Sequence, residues 1–378
     1  MIILYLRSSS YNAWDYCQQS YFIQYVLGHQ QLTNIKAEKG TVVHKVMEVL
    51  ANMTLAVQNN PNCIQINDEH IGSFFFTKES LLEPTELSSE QIREINASRI
   101  NKQTYVTPGF LSDGHIRYGV GIVGDIFKRA YDYYSSQEKS PNIWKPADRR
   151  DCENFVWMVL DYKGGLYDPR RKNIFDVEHR FEIEIKEPWA QYSYIMSDGS
   201  EISGNLAIKG TVDLVLNVDG DTLEVVDWKT GQRFDWGKKR VKGYAELQQD
   251  PQLMLYYYAL SKMYPNIKHI MLTIFFVRDG GPFTLCFDEQ DLKKTELMIE
   301  RRFREIRNSE QPILIDPSHK DFKCSKLCPF LKKKLKPEHN LGMCDQIHQD
   351  IKLYGIDYTI HEYTEPGFSI AKYLAPGT

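Results

Sequence analysis

Gly210-Thr211-Val212-Asp213-Leu214-Val215-Leu216-Asn217-Val218-Asp219-Gly220-Asp221-Thr222-Leu223-Glu224-Val225-Val226-Asp227-Trp228-Lys229-Thr230-Gly231 reads as one hairpin. Two runs rich in β-branched and apolar residues flank Asp219-Gly220, a dipeptide that favours a tight reversal between antiparallel strands. Side chains alternate faces along a strand, so Asp227 and Lys229 share one face and Trp228 takes the other. Register decides whether Asp213 joins them. A turn of Asp219-Gly220 alone sets Asp213 across from Val226, whereas a three-residue loop or one bulge sets it across from Asp227. The second arrangement is the one expected. Two opposed carboxylates in a half-buried sheet repel each other and need a cation. Asp, Asp and Lys around one point suit Mg²⁺ or Mn²⁺, which take hard oxygen ligands. The lysine then orients or deprotonates a water, or stabilises charge on a phosphate. An isolated Asp-x-Lys, by contrast, is an ordinary solvent-facing pair.

Length and composition set the outer bounds. A chain of 378 residues can bury a large core, and its 42% apolar and 25% charged residues are those of an ordinary globular protein. No run approaches the apolar length of a membrane span, and the N-terminus lacks the pattern of a cleaved signal. Seven cysteines, an odd number spread through a large chain, point to a reducing, cytoplasmic setting rather than a secreted disulfide framework. A net charge of −4 restricts any nucleic-acid contact to local patches. Residues 301–340 form one such patch, with a local net of +6 and Lys332-Lys333-Lys334 in its later part.

In chain order, Ser8-Ser9-Ser10 suggests a helix N-cap, with a helix from Tyr11 to Leu27 that carries Cys17 and stops at Gly28. A second helix is expected over Gly40–Met53, with His44 and Glu48 one turn apart on a face distinct from its apolar one. Residues 60–175 read as a helical insertion, with a helix opening at Glu83–Glu90. The glycine-rich 119–125 does not complete a phosphate-binding fingerprint. The aromatic side chains Tyr131, Tyr133, Tyr134, Trp144 and Trp157 are core residues or, in part, stacking platforms for single-stranded bases. A period-two strand follows at Ile174–Ile185. After the hairpin, Arg233, Lys238, Lys239, Arg240 and Lys242 form a charged loop, either solvated or phosphate-binding. Asp250-Pro251 starts a helix to about Met263, in which Gln252 and Tyr256 lie one above the other. Strands are expected at His269–Val277 and Phe283–Phe287, and a helix at Asp291–Arg307. Near the C-terminus stand Cys324, Cys328 and Cys344, three thiols to which Cys17 can add a fourth. These divide the chain into N-terminal helices (1–59), the insertion (60–175), a core (176–310), a cysteine region (311–350) and a tail (351–378).

Taken together, Gly210-x-x-Asp213, Asp227-Trp228-Lys229, Gln252 and Tyr256, His44 and the four cysteines resemble the RecB-type branch of the PD-(D/E)XK nucleases. The resemblance extends to its iron–sulfur members, the AddB-type and CRISPR-associated RecB-like exonucleases. It covers roughly residues 7–50 and 175–350. It implies an α/β fold, a mixed central sheet flanked by helices. It also implies a metal-dependent DNA nuclease, with an exonuclease on single-stranded ends foremost, in recombination, repair, phage DNA processing or CRISPR adaptation. His44, Asp213, Asp227 and the Trp228 carbonyl would hold Mg²⁺ or Mn²⁺, and Lys229, Gln252 and Tyr256 would complete the catalytic group. A glutamate on the preceding strand is also expected, with Glu178 the candidate and Glu182 and Glu184 its competitors. Cys17, Cys324, Cys328 and Cys344 would carry a [4Fe–4S] cluster. The long Cys328–Cys344 spacing leaves open Zn²⁺ with His339 or His348, and also unligated thiols. No helicase P-loop is present, so unwinding would need a helicase, recombination or CRISPR partner. The alternative is a catalytically silent DNA-binding or assembly subunit of the same fold.

Overall fold

The computed structural model describes residues 1–31, 33–78, 81, 109–110, 116–117, 121–137, 140, 142–195, 199–235, 240–279 and 281–368. In chain order its principal elements are β1 (Tyr5–Leu6), α1 (Ser8–Tyr16), α2 (Ile35–Asn59), β2 (Gln65–Asp68), β3 (Gly72–Phe75), α3 (Ile122–Ser135), α4 (Pro146–Leu160) and β4 (Ile174–Glu184). There follow β5 (Ala207–Asp219), β6 (Thr222–Lys229), α5 (Pro251–Met263), β7 (His269–Phe276), β8 (Gly281–Cys286), α6 (Glu289–Arg307), α7 (Met343–Tyr354) and α8 (Ile356–Tyr363). Strands β4-β5-β6-β7-β8 form a mixed sheet, and β1 runs parallel to the start of β5. β6 and β7 are also parallel, which requires the long crossover that α5 supplies. The fold is α/β, with helices on both faces.

The central hairpin carries a bulge. Thr222 pairs with Asp219, and the register then shifts so that Leu223 pairs with Asn217 and Val226 with Leu214. One step further along that register, Asp227 stands across from Asp213. The extra residue of the bulge, rather than the turn, brings the two acids opposite each other.

The sheet separates two cores. Leu223 and Val225 of β6 pack with α5, α6 and the helices of both chain ends. Val226 and Trp228 face a second core built from α2, α3 and α4, in which Trp228 is 1% exposed. α2 is capped by Asn34, whose side chain accepts the Ala37 N–H, and runs 25 residues from Ile35, well beyond the expected 40–53. α5 starts where Asp250 caps the Gln252 N–H and Pro251 fills the first turn. α6 starts at Glu289 because the Asp288 carboxylate accepts the N–H groups of Gln290 and Asp291.

Two expectations are corrected. The N-terminal helix is not continuous from Tyr11 to Leu27. It starts at Ser8 with Arg7 as its cap, breaks at Cys17 (φ −169°, ψ 118°), and resumes through Gln18–Tyr21 and a π-turn at Phe22–Val26. Region 60–175 is not wholly helical either, since the antiparallel hairpin β2–β3 precedes α3 and α4. Glu83–Glu90 lies outside the described residues, as do Gly119 and Val120. Gly121, with φ +89°, is the N-cap of α3. No helix among the described residues is long and apolar enough to cross a membrane.

Gly210 has a packing reason. It pairs with Phe181 across β4 and β5, and a Cβ there would lie 2.4 Å from the Phe181 ring. The same ring meets Tyr256 edge-on at 6.0 Å. Gly210→Ala is expected to destabilise by about 1–3 kcal/mol in urea unfolding through overpacking. Adding Phe181→Leu should recover part of that loss, and strict additivity of the two changes would disprove the contact.

Candidate functional site

β4, β5 and β6 present their acids to the N-terminal half of α2. His44 Nδ1 lies 3.3 Å from Asp213 Oδ2, which also accepts the Trp228 N–H at 2.9 Å. Glu178, on β4, joins them. Ligand atoms of His44, Glu178 and Asp213 all lie within 4.8 Å of one another. Glu178 has φ +48°, in the left-handed region that a side chain adopts only under strain. Of the three glutamates in play on this strand, Glu178 is the one that reaches the cluster. Glu182 pairs with Lys209 instead.

Asp227 stands across from Asp213, as expected, and lies outside the three-residue cluster. It is 2% exposed and held from the other side, with Lys229 Nζ 2.7 Å from its Oδ2. Gln252 Nε2 donates to Asp227 Oδ1 at 2.8 Å and lies 2.8 Å from the Tyr256 hydroxyl, which donates to the Thr211 carbonyl at 2.7 Å. Asp227 Oδ2 is buried and accepts no hydrogen bond, so the pair with Lys229 is its one charged contact on that oxygen among the described residues. Gln252 and Tyr256 thus tie α5 to both strands of the hairpin.

The electrostatics follow from burial and from two acids side by side. Burial alone would lower His44, but the Asp213 carboxylate overrides it and holds the imidazole up at about 9. Burial would likewise raise Asp213, yet His44 and then Lys229 keep it below the usual carboxylate range. Asp227 is raised by burial and by Asp213, against the opposing pull of Lys229. Glu178 is pushed up to about 7 by burial and then by Asp213 and Glu48. Burial works against Lys229 too, but Asp227 and Asp213 raise it, so its ammonium stays charged. In this state a proton on His44 serves as the cation that the acids require.

The donor set fits a hard divalent ion. Two carboxylates and an imidazole converge, and their charge is offset by the His44 proton, by Lys229 and, at Glu178, by Lys45. The cleft in front of them is bounded by Thr41 and Lys45 of α2, by Arg180, and by Glu69, His70 and Tyr134. Lys45 bonds both Glu48 and Asp68, at 2.7 and 3.1 Å, and Asp68 accepts the His70 and Ile71 N–H groups. These contacts fix the β2–β3 hairpin at the cleft mouth. There the His70 ring stacks on Tyr133 at 5.2 Å with planes 7° apart, and Tyr133 meets Tyr134 edge-on. Of the other aromatic candidates, Trp157 is core and Tyr131 packs against Trp144.

The charged loop after the hairpin is internally paired. Arg233 lies over the Phe283 ring and donates to the Lys242 carbonyl, Arg240 pairs with Glu246, and Lys242 with Asp250. Lys238 and Lys239 lie outside the described residues.

Cys17, Cys324, Cys328 and Cys344 line one enclosed cavity. The Tyr16 hydroxyl donates to the Lys323 carbonyl and Gln19 Nε2 to the Cys344 carbonyl, so the two chain ends meet there. Burial raises the Cys344 and Cys328 thiols, and the neighbouring thiols raise them further. Backbone N–H groups of Phe330 and Leu331 point at Cys328, an arrangement that favours a thiolate. Neither His339 nor His348 lines the cavity; the histidine that does is His319. Nothing in its sequence spacing marked it.

A family model described as the PD-(D/E)XK nuclease superfamily matches residues 8–332. The chain belongs to the PD-(D/E)XK nuclease superfamily. It is thus a nuclease by family, and members commonly use Mg²⁺ or Mn²⁺. Among solved structures it is similar to a candidate exonuclease from Eubacterium rectale, at 9% identity and a TM-score of 0.36, over 83% of this chain and 85% of that one. That likeness is too distant to bear on function. None of the curated proteins matches this PD-(D/E)XK chain.

Metal ligands must shed their protons. With His44 held up at about 9 and Glu178 at about 7, the Mn²⁺ affinity of this nuclease should rise steadily from pH 6 to pH 9, with proton release on binding. Calorimetry in buffers of different ionisation heat measures both. A flat affinity over that range would show that neither group binds the ion.

Proposed function

We propose that this nuclease is a metal-dependent deoxyribonuclease of the RecB-type branch, an exonuclease acting on single-stranded DNA ends. The observation that carries the reading is the convergence of His44, Glu178 and Asp213 within 4.8 Å, beside the Lys229–Asp227 pair. His44, Glu178 and Asp213 would hold Mg²⁺ or Mn²⁺, with Asp227 and the Trp228 carbonyl as the further ligands the sequence suggests. The ion would supply charge neutralisation at the phosphate and a water of lowered pKa.

The chain's own groups do the rest. Lys229 stays an ammonium, which suits charge stabilisation on the developing phosphorane better than proton abstraction. Gln252 fixes the Asp227 carboxylate that orients Lys229, and Tyr256 fixes Gln252. Arg180, exposed at the cleft, offers a phosphate contact. The stacked His70–Tyr133 pair beside Tyr134 supports a single strand as substrate, because an unpaired base can stack there. The exposed lysines Lys332, Lys333 and Lys334 supply a basic stretch outside the cleft.

The four cysteines suit a [4Fe–4S] cluster that joins the chain ends. Four-thiolate ligation is the set that such a cluster takes.

End-labelled single-stranded DNA with Mn²⁺, Mg²⁺ or EDTA tests the activity on anaerobically purified protein. Metal-dependent degradation is expected, reduced about 10²–10³-fold by Lys229→Ala and abolished by Asp213→Ala. Binding without cleavage by the folded protein would instead support a silent DNA-binding or assembly subunit. His70→Ala should raise KM for single strands roughly tenfold through lost stacking, with kcat little changed. An equal effect of that change on kcat would place His70 in the chemistry rather than at the mouth.

A further inference from the structure

His319 is the imidazole that lines the cysteine cavity among the described residues. Its Nε2 lies 2.6 Å from Asp345 Oδ1, the carboxylate one residue after Cys344. Its Nδ1 is buried and has no hydrogen-bond partner. A buried ring nitrogen left bare costs stability unless something occupies its lone pair. Nearby groups compound that cost. His319 adopts φ +55°, and its loop is pinned by the Asp316 carboxylate, which accepts the N–H groups of Ser318 and Asp321. The backbone is therefore held in a strained form that keeps the ring at the cavity.

The chemistry of this arrangement is that of a metal-directed histidine. Donation of one ring N–H to a carboxylate fixes the tautomer, leaves the other nitrogen with its lone pair exposed, and raises its basicity. Four thiols and this imidazole line the same enclosed space.

We propose that His319 is a donor of the cysteine site in place of one of the four thiols: its Nδ1 would take one coordination position of the metal centre, and Asp345 fixes its orientation. This rests on the cysteine site being a metal centre. It replaces one thiol of the four-thiol reading with a nitrogen from a loop that contributes no cysteine. Asp345 is a positioning residue, since it acts through His319.

The test uses full-length protein, purified anaerobically and labelled with ¹⁵N-histidine. Metal content is measured first. A reduced iron centre, or Co²⁺ substituted for Zn²⁺, is then examined by pulsed EPR for coupling to a histidine nitrogen. The wild type is expected to show the coupling and His319→Ala to lose it while still loading metal. His319→Ala and Asp345→Asn should each speed metal loss to a chelator by roughly tenfold. The urea midpoint of the metal-free protein should not fall in either variant, which separates metal contact from a purely structural role. A loaded wild type without histidine coupling, or coupling that survives in His319→Ala, would overturn the inference. A wild type that takes up no metal would overturn the reading of the cysteine site itself, and this inference with it.

Discussion

Two carboxylates forced side by side in a buried sheet govern this structure. The bulge between β5 and β6 places Asp213 and Asp227 opposite each other, where burial strengthens their repulsion. The surrounding groups answer that repulsion. His44 comes from α2, Lys229 from the same strand as Asp227, and Gln252 from α5, and each brings a positive charge or an N–H to one of the acids. Three separate segments are thereby fixed around one point. Glu178, strained and carrying its proton more readily than usual, adds a third carboxylate to an already crowded place. Such an arrangement is costly in a metal-free protein and suits one that binds a cation.

The sequence carried the hairpin, α5 and β7 clearly because their signals are local. Period-two alternation, an Asp-Gly reversal and an Asp-Pro helix start act over a few residues, and each of these elements appears within three residues of its expected place. The pairing of Gln252 with Tyr256 was also legible, since one helical turn separates them. What they touch was not. That Gln252 would hold Asp227 has no local signal, and although Glu178 was the candidate glutamate of β4, the left-handed backbone at Glu178, beside His44 and Asp213, is one that no propensity announces. The β2–β3 hairpin escaped for a similar reason: it is anchored by distant segments, through Lys45 on Asp68, 23 residues away, and through Ile71 and Phe74 in the second core. His319 lacked any metal-ligand spacing to the cysteines and was visible only once the chain ends met.

Both proposed metal sites depend on closure between distant segments. At the nuclease cleft, α2 and the hairpin it holds by Lys45 face the strands of the central sheet, so the helix that carries His44 also positions the stacked His70 and Tyr133. At the other site, the break at Cys17 and the turn before Cys328 bring the first and last parts of the matched region together. Arg302, buried in α6, reaches Asp15 at 2.6 Å and the Tyr11 carbonyl at 2.8 Å, so this closure has support beyond the cysteines. The nuclease core is therefore framed at one end by a side-chain network and at the other by thiols.

The central claim is that His44, Glu178 and Asp213 form one divalent-cation site. Anomalous scattering from crystals soaked in Mn²⁺ tests it most directly. A manganese peak bounded by these three side chains is expected, with the His44–Asp213 contact opened to admit it. Strong peaks elsewhere, with His44 still resting on Asp213 and Glu178 unligated, would contradict it.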